Sequence, residues 1–236
     1  MRRTSVILAL AMCGQCVTGK QGCASELQQI VRDDLCVTNG AVAAMPSGKL
    51  GIDTPSSRAV IGATREVTSD QIAEIRFRYL GPSATSKPLA SSELRRQIGL
   101  KLRAADSCNL VYVMWHIEPD AAVAVSIKRN PGMHKHAQCH AGGYINLKPP
   151  KPVALPRIKV GEDHILHAEL HGDDLKVTAD GNIVWQGALG DAASSVAGPS
   201  GFRTDNARFE FGFYADAPAK PGAQPASAGC VRSEGD

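Results

Sequence analysis

Apolar and polar residues alternate along the middle of the chain with a period of two. The alternation is clearest at residues 74–79, 98–103, 123–128, 166–171 and 207–213. Successive side chains of a β-strand point to opposite faces, so this pattern is typical of strands with one face on a core and the other on solvent. The sequence therefore predicts a run of half-buried β-strands between residues 60 and 216.

Residues 110–117, with the sequence Leu-Val-Tyr-Val-Met-Trp-His-Ile, are apolar at nearly every position. This length and composition indicate a central strand covered on both faces. Farther along, Asp180-Gly181-Asn182 separates two alternating segments and predicts a tight hairpin, because Gly and Asn tolerate positive φ. Many short strands at near-regular spacing favour an all-β sandwich or barrel over a parallel βαβ sheet.

The N-terminus has the pattern of an export signal. Arg2 and Arg3 precede a short apolar run at residues 6–12, far below the ~20 residues that span a bilayer. We predict a signal peptide at residues 1–24, or a lipoprotein signal that ends before Cys13, because residues 10–14 resemble a lipobox. Both alternatives place the protein outside the cytoplasm, in the periplasm, on the outer membrane or secreted. Membrane contact is expected only through a lipid anchor.

These patterns divide the rest of the chain into three parts. Residues 25–59 hold few large apolar side chains and are predicted to form an N-terminal extension. Residues 60–216 are predicted to form the β-domain. Residues 217–236 are rich in Pro, Ala, Gly and Ser, and such a segment cannot bury enough apolar surface to offset its chain entropy. We expect flexible N- and C-terminal tails around the domain.

The charge balance argues against a nucleic-acid partner. The chain has 26 basic and 23 acidic residues, a formal net charge of +3. Arg2, Arg3 and Lys20 all precede residue 25, so removal of residues 1–24 brings the net charge to zero. A protein that binds nucleic acid is expected to show a basic excess or stripe.

Cysteine usage agrees with export. Of the seven cysteines, four remain after cleavage at residue 24, and six remain beside a lipidated Cys13. Even numbers are typical of proteins that form disulfides in an oxidising compartment. We predict a Cys108–Cys139 disulfide, since both residues lie beside strand-like segments inside the domain.

The segment from residue 164 to residue 214 carries a recognisable order of elements. His-Ala-Glu-Leu-His-Gly-Asp-Asp-Leu-Lys-Val spans residues 167–177, and Asp-Gly-Asn-Ile-Val-Trp follows at 180–185. Gly-Pro-Ser-Gly-Phe-Arg-Thr-Asp-Asn-Ala then precedes the closing strand, at 198–207. This order resembles concanavalin A-like jelly rolls, in particular laminin-G-like and 3-keto-disaccharide-hydrolase-type domains. The resemblance implies a two-sheet antiparallel jelly-roll sandwich and a glycan-related role.

Six residues are candidates for binding a ligand. Tyr144 follows Ala-Gly-Gly and is the best candidate for an exposed aromatic platform, with Arg129 and Asn130 near it. Arg203, Asp205 and Asn206 are predicted to lie in a turn before the last strand, where they could bind a ligand or Ca²⁺ or simply stabilise the turn.

Three histidines offer an alternative chemistry. His134, His136 and His140 lie within seven residues, together with Cys139, and imidazole and thiolate are ligands that suit zinc or copper. If Cys139 forms a disulfide, the histidines line a solvated loop instead. We expect no cofactor, with calcium or zinc as the alternatives.

No catalytic residues can be assigned. The strands carry no pair of acidic residues on one face, as a retaining glycosidase needs, and the chain lacks nucleophile-elbow, zincin and nucleotide-binding motifs. We therefore predict an exported, non-enzymatic domain that binds a saccharide or another cell-envelope component. A glycoside-acting hydrolase on the same fold and a metal-binding envelope protein are the alternatives.

Overall fold

The computed structural model describes residues 27–222 as an all-β domain. Its strands are β1 (Gln28–Ile30), β2 (Leu35–Asn39), β3 (Ala43–Ala44), β4 (Leu50–Ile61), β5 (Gln71–Pro82), β6 (Arg96–Leu102), β7 (Leu110–Glu118), β8 (Ala122–Lys128), β9 (Tyr144–Leu147), β10 (Asp163–His171), β11 (Asp174–Ala179), β12 (Asn182–Ala188) and β13 (Gly201–Ala215). Two short helices, α1 (His136–Cys139) and α2 (Asp191–Ser194), and a 3₁₀ turn at Arg32–Asp34 complete the elements.

All strand pairs in this part of the chain are antiparallel, in the order β12-β11-β10-β5-β13-β6-β7-β8-β9, with β4 on the other side of β13. The long strand β13 belongs to both layers of the sandwich. Its first half, residues 201–205, pairs with β6, and its second half, from residue 207, pairs with β5. The sheet therefore curls over itself, and the predicted two-layer jelly roll is confirmed.

A single residue marks the point where β13 changes partners. Asn206 has φ +56° and is almost fully buried. Its Oδ1 accepts from the N–H of Lys87 at 2.8 Å, and its Nδ2 donates to the carbonyls of Lys87 and Arg95. At this switch, these side-chain bonds take the place of hydrogen bonds to a neighbouring strand, since buried polar groups need partners.

The main core lies between the two layers. Phe77, Trp115 and Phe209 form edge-to-face pairs with ring centroids 5.6–5.8 Å apart, and all three are buried. Each such side chain contributes about 1.5–3 kcal/mol through removal of apolar surface from water. The alternation predicted for β5, β10 and β13 places their apolar residues in this core.

Strand β7 is covered on both faces, as its continuous apolar run predicts. Val111, Val113 and Trp115 face the main core, whereas Leu110, Tyr112 and Met114 belong to a second, smaller cluster on the opposite face. The outer face of this layer is therefore not a solvated surface along its whole length.

The sandwich includes residues that precede its predicted start. Strands β1 to β4 lie within residues 28–61, and β4 pairs with β13 along residues 50–60. Residues before 60 therefore belong to the sheet and are not an extension from it. At the other end, Pro218 and Lys220 hydrogen-bond to Glu66 and Thr64, so the first residues of the predicted C-terminal tail pack on the domain.

Three other predictions concern residues before 27 or after 222. The signal peptide at residues 1–24, the lipobox at Cys13 and the tail beyond residue 222 lie outside the described residues. Within residues 27–222, no helix has the length and apolar character needed to cross a membrane.

Candidate functional site

A cleft of about 1040 Å³ lies on the outer face of the layer formed by β4, β13 and β6 to β9. The polar side chains that these six strands contribute are, in the same order, Arg58, Arg203, Lys101, Tyr112, Lys128 and Tyr144. Val60 on β4 and residues 36–39 of β2 also line the cleft. The volume is at the upper end of the ~300–1,000 Å³ that ligand pockets occupy.

The register of the sheet explains why these residues meet. Arg58 is directly opposite Arg203, Lys101 is opposite Tyr112, and Lys128 is opposite Tyr144. Residues that pair directly across antiparallel strands point to the same face. These polar residues of the cleft thus come from strands that are far apart in the sequence.

The wall of the cleft is a pair of loops joined by a disulfide. Cys108, just before β7, is bonded to Cys139 at the end of α1, with a Cα–Cα distance of 5.9 Å, which confirms the predicted pairing. Cys36 on β2 is also disulfide-bonded. Near the bridge, Lys128 Nζ donates to the carbonyls of Ser107 at 3.1 Å and His140 at 2.8 Å. The bridge and these bonds hold both loops against β8.

Two tyrosine rings that line the cleft stack on each other. Tyr144 stacks on Tyr112, and Nζ of Lys128 lies 5.4 Å from the Tyr144 ring centroid. The Tyr144 side chain remains partly exposed, at 39 %. Desolvation of its hydroxyl, with a smaller effect of Tyr112, raises the pKa of Tyr144 to about 12. The hydroxyl is therefore protonated at neutral pH and can donate a hydrogen bond.

Arg203 is fixed at one side of this aromatic pair. Its Nε donates to Asp205 at 2.7 Å, and its guanidinium carbon lies 5.4 Å from the Tyr112 ring centroid. Burial disfavours the charge of Arg203, but the carboxylate of Asp205 more than offsets this and holds the pKa of Arg203 well above its usual value. Asp205 also accepts from Gln97 and Ser56. Arg203 is therefore a pre-oriented cation.

The turn predicted for Arg203, Asp205 and Asn206 is wrong, because all three lie within β13. Arg203 lines the cleft, whereas Asp205 and Asn206 are about 99 % buried and serve to hold Arg203 and the strand switch. Their polar groups have partners more than one hundred residues away in sequence, which local turn chemistry does not show.

Arg129 and Asn130 stabilise the loop beside Tyr144. Arg129 donates to Asn109 Oδ1 at 3.1 Å and to Ser195 Oγ at 2.9 Å. The Asn130 side chain donates to the carbonyls of Cys108 and Gly142. Of the six predicted ligand-binding residues, the structure thus brings Tyr144 and Arg203 together in the cleft.

The three predicted metal ligands do not form one cluster. His134 and His136 line the cleft, but His134 Nδ1 is hydrogen-bonded to Asp106 at 2.7 Å. The ring centroid of His136 lies 6.2 Å from that of His140. Cys139 is in the disulfide and has no thiolate to offer. Across residues 27–222, no three His, Cys, Asp or Glu side chains are grouped to hold a metal ion.

In the other layer of the sandwich, on β5 and β10, two carboxylates lie on either side of one histidine. His167 lies between Glu74, at 3.0 Å from Nδ1, and Glu169, at 3.1 Å from Nε2. The hydrogen bond from His167 lowers the pKa of Glu74. A general acid for glycoside cleavage needs a raised pKa instead, so this cluster is typical of an ion-pair network.

Comparison with solved structures shows the same fold elsewhere. The carbohydrate-binding module CBM66 from Bacillus subtilis superposes with a TM-score of 0.53 at 17% identity, over 75% of this chain and 91% of that chain. The GH43 protein BlXynB from Bacillus licheniformis superposes with a TM-score of 0.51 at 14% identity, over 80% of this chain and 37% of its own. This chain therefore spans little more than a third of BlXynB. No protein-family model and no curated protein sequence matches the chain.

Proposed function

We propose that this protein is an extracytoplasmic binding domain that holds a saccharide in the cleft of residues Arg58, Lys101, Tyr112, Lys128, Tyr144 and Arg203. The stacked tyrosine pair carries the proposal. Sugars present C–H faces that pack on aromatic rings, and their hydroxyls take hydrogen bonds from rigid donors nearby. Tyr144 supplies a partly exposed ring and a protonated hydroxyl, and Arg203 supplies oriented N–H groups.

The composition of the cleft favours binding over cleavage. Among its described lining residues, Asp106 alone is acidic, and its carboxylate accepts from His134, Asn109 and the N–H of Cys108. Hydrolysis of a glycoside ordinarily uses two carboxyl groups on either side of the bond. The fold likeness to CBM66, whose name describes a carbohydrate-binding module, supports the same function.

Export remains part of the proposal. The Cys108–Cys139 disulfide supports it, because disulfides persist in oxidising compartments. Localisation by cell fractionation, with a cytoplasmic marker as control, tests this part separately. Recovery of the protein in the cytoplasmic fraction would overturn it.

A glycan array with the purified full chain tests the binding function. We expect binding to at least one saccharide, loss of that binding in Tyr144→Ala, and retention in Ile145→Ala. Ile145 is the matched control because it is the next residue on β9, is 44% exposed and points to the opposite face. The proposal fails if no saccharide binds, or if Tyr144→Ala binds as tightly as the unaltered protein.

A further inference from the structure

Cys36, on β2, lines the cleft and is disulfide-bonded. The other two cysteines of residues 27–222, Cys108 and Cys139, are bonded to each other, so the partner of Cys36 lies outside that range. We propose that this partner is Cys230 and that the short acidic segment after it, residues 231–236, docks in the cleft. The docking goes beyond the proposed function and needs no saccharide, whereas competition with a saccharide rests on that function.

The sequence leaves few choices for the partner of Cys36. The candidates are Cys13, Cys16, Cys23 and Cys230. The first three precede residue 25 and are removed with a signal peptide that ends at residue 24. After that cleavage Cys230 is the one remaining cysteine, and cysteines in an oxidising compartment ordinarily form disulfides.

The chain just before this segment already lies beside the start of β2. Arg65 donates to the carbonyl of Ala217 at 3.3 Å and to the carboxylate of Asp34 at 2.7 Å, two residues before Cys36. The 13 residues from Ala217 to Cys230 extend over as much as ~43 Å. The chain is therefore long enough to return to Cys36.

Residues 231–236 carry charges that complement the cleft. Glu234 and Asp236 are acidic and Arg232 is basic, which leaves one net negative charge. Residues 1–25 hold three basic and no acidic residues, so the segments around Cys13 and Cys16 have the opposite charge. Complementary charge fixes the position of a docked segment and disfavours wrong partners. We assign the two carboxylates as partners within the set of cations that line the cleft, which is Arg58, Lys101, Lys128, Lys135 and Arg203.

The strand order places these cations within reach of a segment held at Cys36. β2 pairs with β4, β4 with β13 and β13 with β6, so Arg58, Arg203 and Lys101 lie one, two and three strands away. Neighbouring strands are ~4.8 Å apart, so three steps span ~14 Å. A carboxylate four residues beyond the bonded cysteine reaches ~13 Å along the backbone, and the side chains of both partners add to this.

The disulfide makes weak contacts sufficient for docking. A single exposed ion pair contributes little to binding between separate molecules. A segment tethered within the cleft has an effective concentration on the order of millimolar, so a few such pairs hold it in place. The same contacts are weak enough for a ligand to displace. The docked segment therefore covers the cleft until a saccharide enters.

Mass spectrometry of the purified full chain tests the bond and the docking. A digest under non-reducing conditions should contain the peptides of Cys36 and Cys230 joined by a disulfide. A carbodiimide couples carboxylates to amines that are in contact with them. We expect it to join Glu234 or Asp236 to lysines of the cleft and not to Lys151, which is exposed in another surface hollow beside Trp185.

Removal of both acidic charges tests whether they hold the segment in the cleft. Glu234→Gln/Asp236→Asn keeps the disulfide, and we expect hydroxyl-radical labelling of Tyr144 to rise about threefold, the order of one exposed ion pair. Tyr144 reports on the cleft because its ring is partly exposed and lies near Lys128. Tyr214, half-buried on β13, is the internal reference and should be labelled equally in both proteins.

The matched control removes two exposed carboxylates outside the cleft. Asp120→Asn/Asp191→Asn should leave the labelling of Tyr144 unchanged. Thermal melting verifies that both variants fold.

Three results would each overturn the docking. They are a bond from Cys36 to a cysteine before residue 25, couplings to Lys151 as frequent as those to the cleft lysines, and equal labelling of Tyr144 with and without the two acidic charges. None of these measurements uses a saccharide, so a glycan array without binding overturns the proposed function alone. With a saccharide that the array identifies, Glu234→Gln/Asp236→Asn should bind about threefold more tightly. Equal affinities would overturn the competition.

Discussion

Tyr144 on β9 stacks on Tyr112 on β7, with ring centroids 6.2 Å apart and planes inclined by 19°, although β8 lies between their strands. The two rings thus bridge three strands of the sheet. Because the Tyr112 side chain is buried and that of Tyr144 is partly exposed, Tyr112 supports the ring that is available to a ligand.

Replacement of Tyr144 by Phe separates the ring from the hydroxyl. We expect Tyr144→Phe to keep the stack and to weaken saccharide binding about two- to twelvefold, as the loss of one hydrogen bond of about 0.5–1.5 kcal/mol predicts. Calorimetry measures the difference. A Phe variant as weak as Tyr144→Ala would show that the hydroxyl carries the affinity and the ring does not.

Loss of the Cys108–Cys139 bridge is expected to destabilise the domain. The bridge closes a loop with a sequence separation of 31, for which chain entropy predicts about 3–4 kcal/mol. The double variant Cys108→Ser/Cys139→Ser is used because a reductant would also act on the bond of Cys36. Urea denaturation measures the change. An unchanged midpoint would show that the unfolded chain gains no freedom when the bridge is absent.

The side chain and the backbone conformation of Asn206 are both expected to affect the stability of the strand switch. Asn206→Ala removes three side-chain hydrogen bonds and retains a left-handed backbone, so we expect a loss of at least about 2 kcal/mol. Asn206→Gly removes the same bonds but relieves the backbone strain at φ +56°, and it should be more stable than the Ala variant by about 1 kcal/mol. Equal stabilities in urea denaturation would show that backbone conformation contributes nothing here.

His116 is expected to make the stability of the domain depend on pH. Desolvation, with the nearby charges of Arg95 and Arg203 adding to it, lowers the pKa of His116 to about 4. Between the ordinary pKa of about 6.5 and 4, the unfolded chain takes up a proton that the folded chain does not, so stability falls as the pH falls. This contribution is about 2 kcal/mol between pH 7 and 4.5.

The variant His116→Gln tests this sign. Its stability should fall less than that of the unaltered protein over the same pH range, since Gln takes up no proton. Urea denaturation at pH 7 and at pH 4.5 gives the two differences. A variant with the same acid sensitivity as the unaltered protein would place the effect on other groups.

Local patterns were sufficient for the strands that alternate cleanly. β5, β10 and β11 follow from side-chain periodicity, β7 from its continuous apolar run, and β12 from the Asp-Gly-Asn hairpin that precedes it. β4 does not follow from periodicity, since Pro55 and several polar residues interrupt its apolar positions. It becomes a strand through pairing with β13, which lies about 150 residues later.

The cleft was harder to predict because it also depends on pairing between strands that are far apart in the sequence. Tyr144 and Arg203 could be chosen from the sequence as an aromatic and a cation near turn signals. Arg58, Lys101 and Lys128 are ordinary outward positions of separate strands, and only the register of the sheet brings them together. The Cys108–Cys139 pair was predictable because both cysteines flank strands inside the domain.

The position of β13 in both layers has a consequence for biosynthesis. This strand, residues 201–215, is the central partner of β4, β5 and β6, which are complete by residue 102. The ribosome therefore synthesises these three strands about 100 residues or more before the strand that joins the layers, and until then their edges toward β13 have no partner. Such long-range closure is slow and leaves the nascent chain open to aggregation. The two layers therefore close on each other only after residues 201–215 have been synthesised.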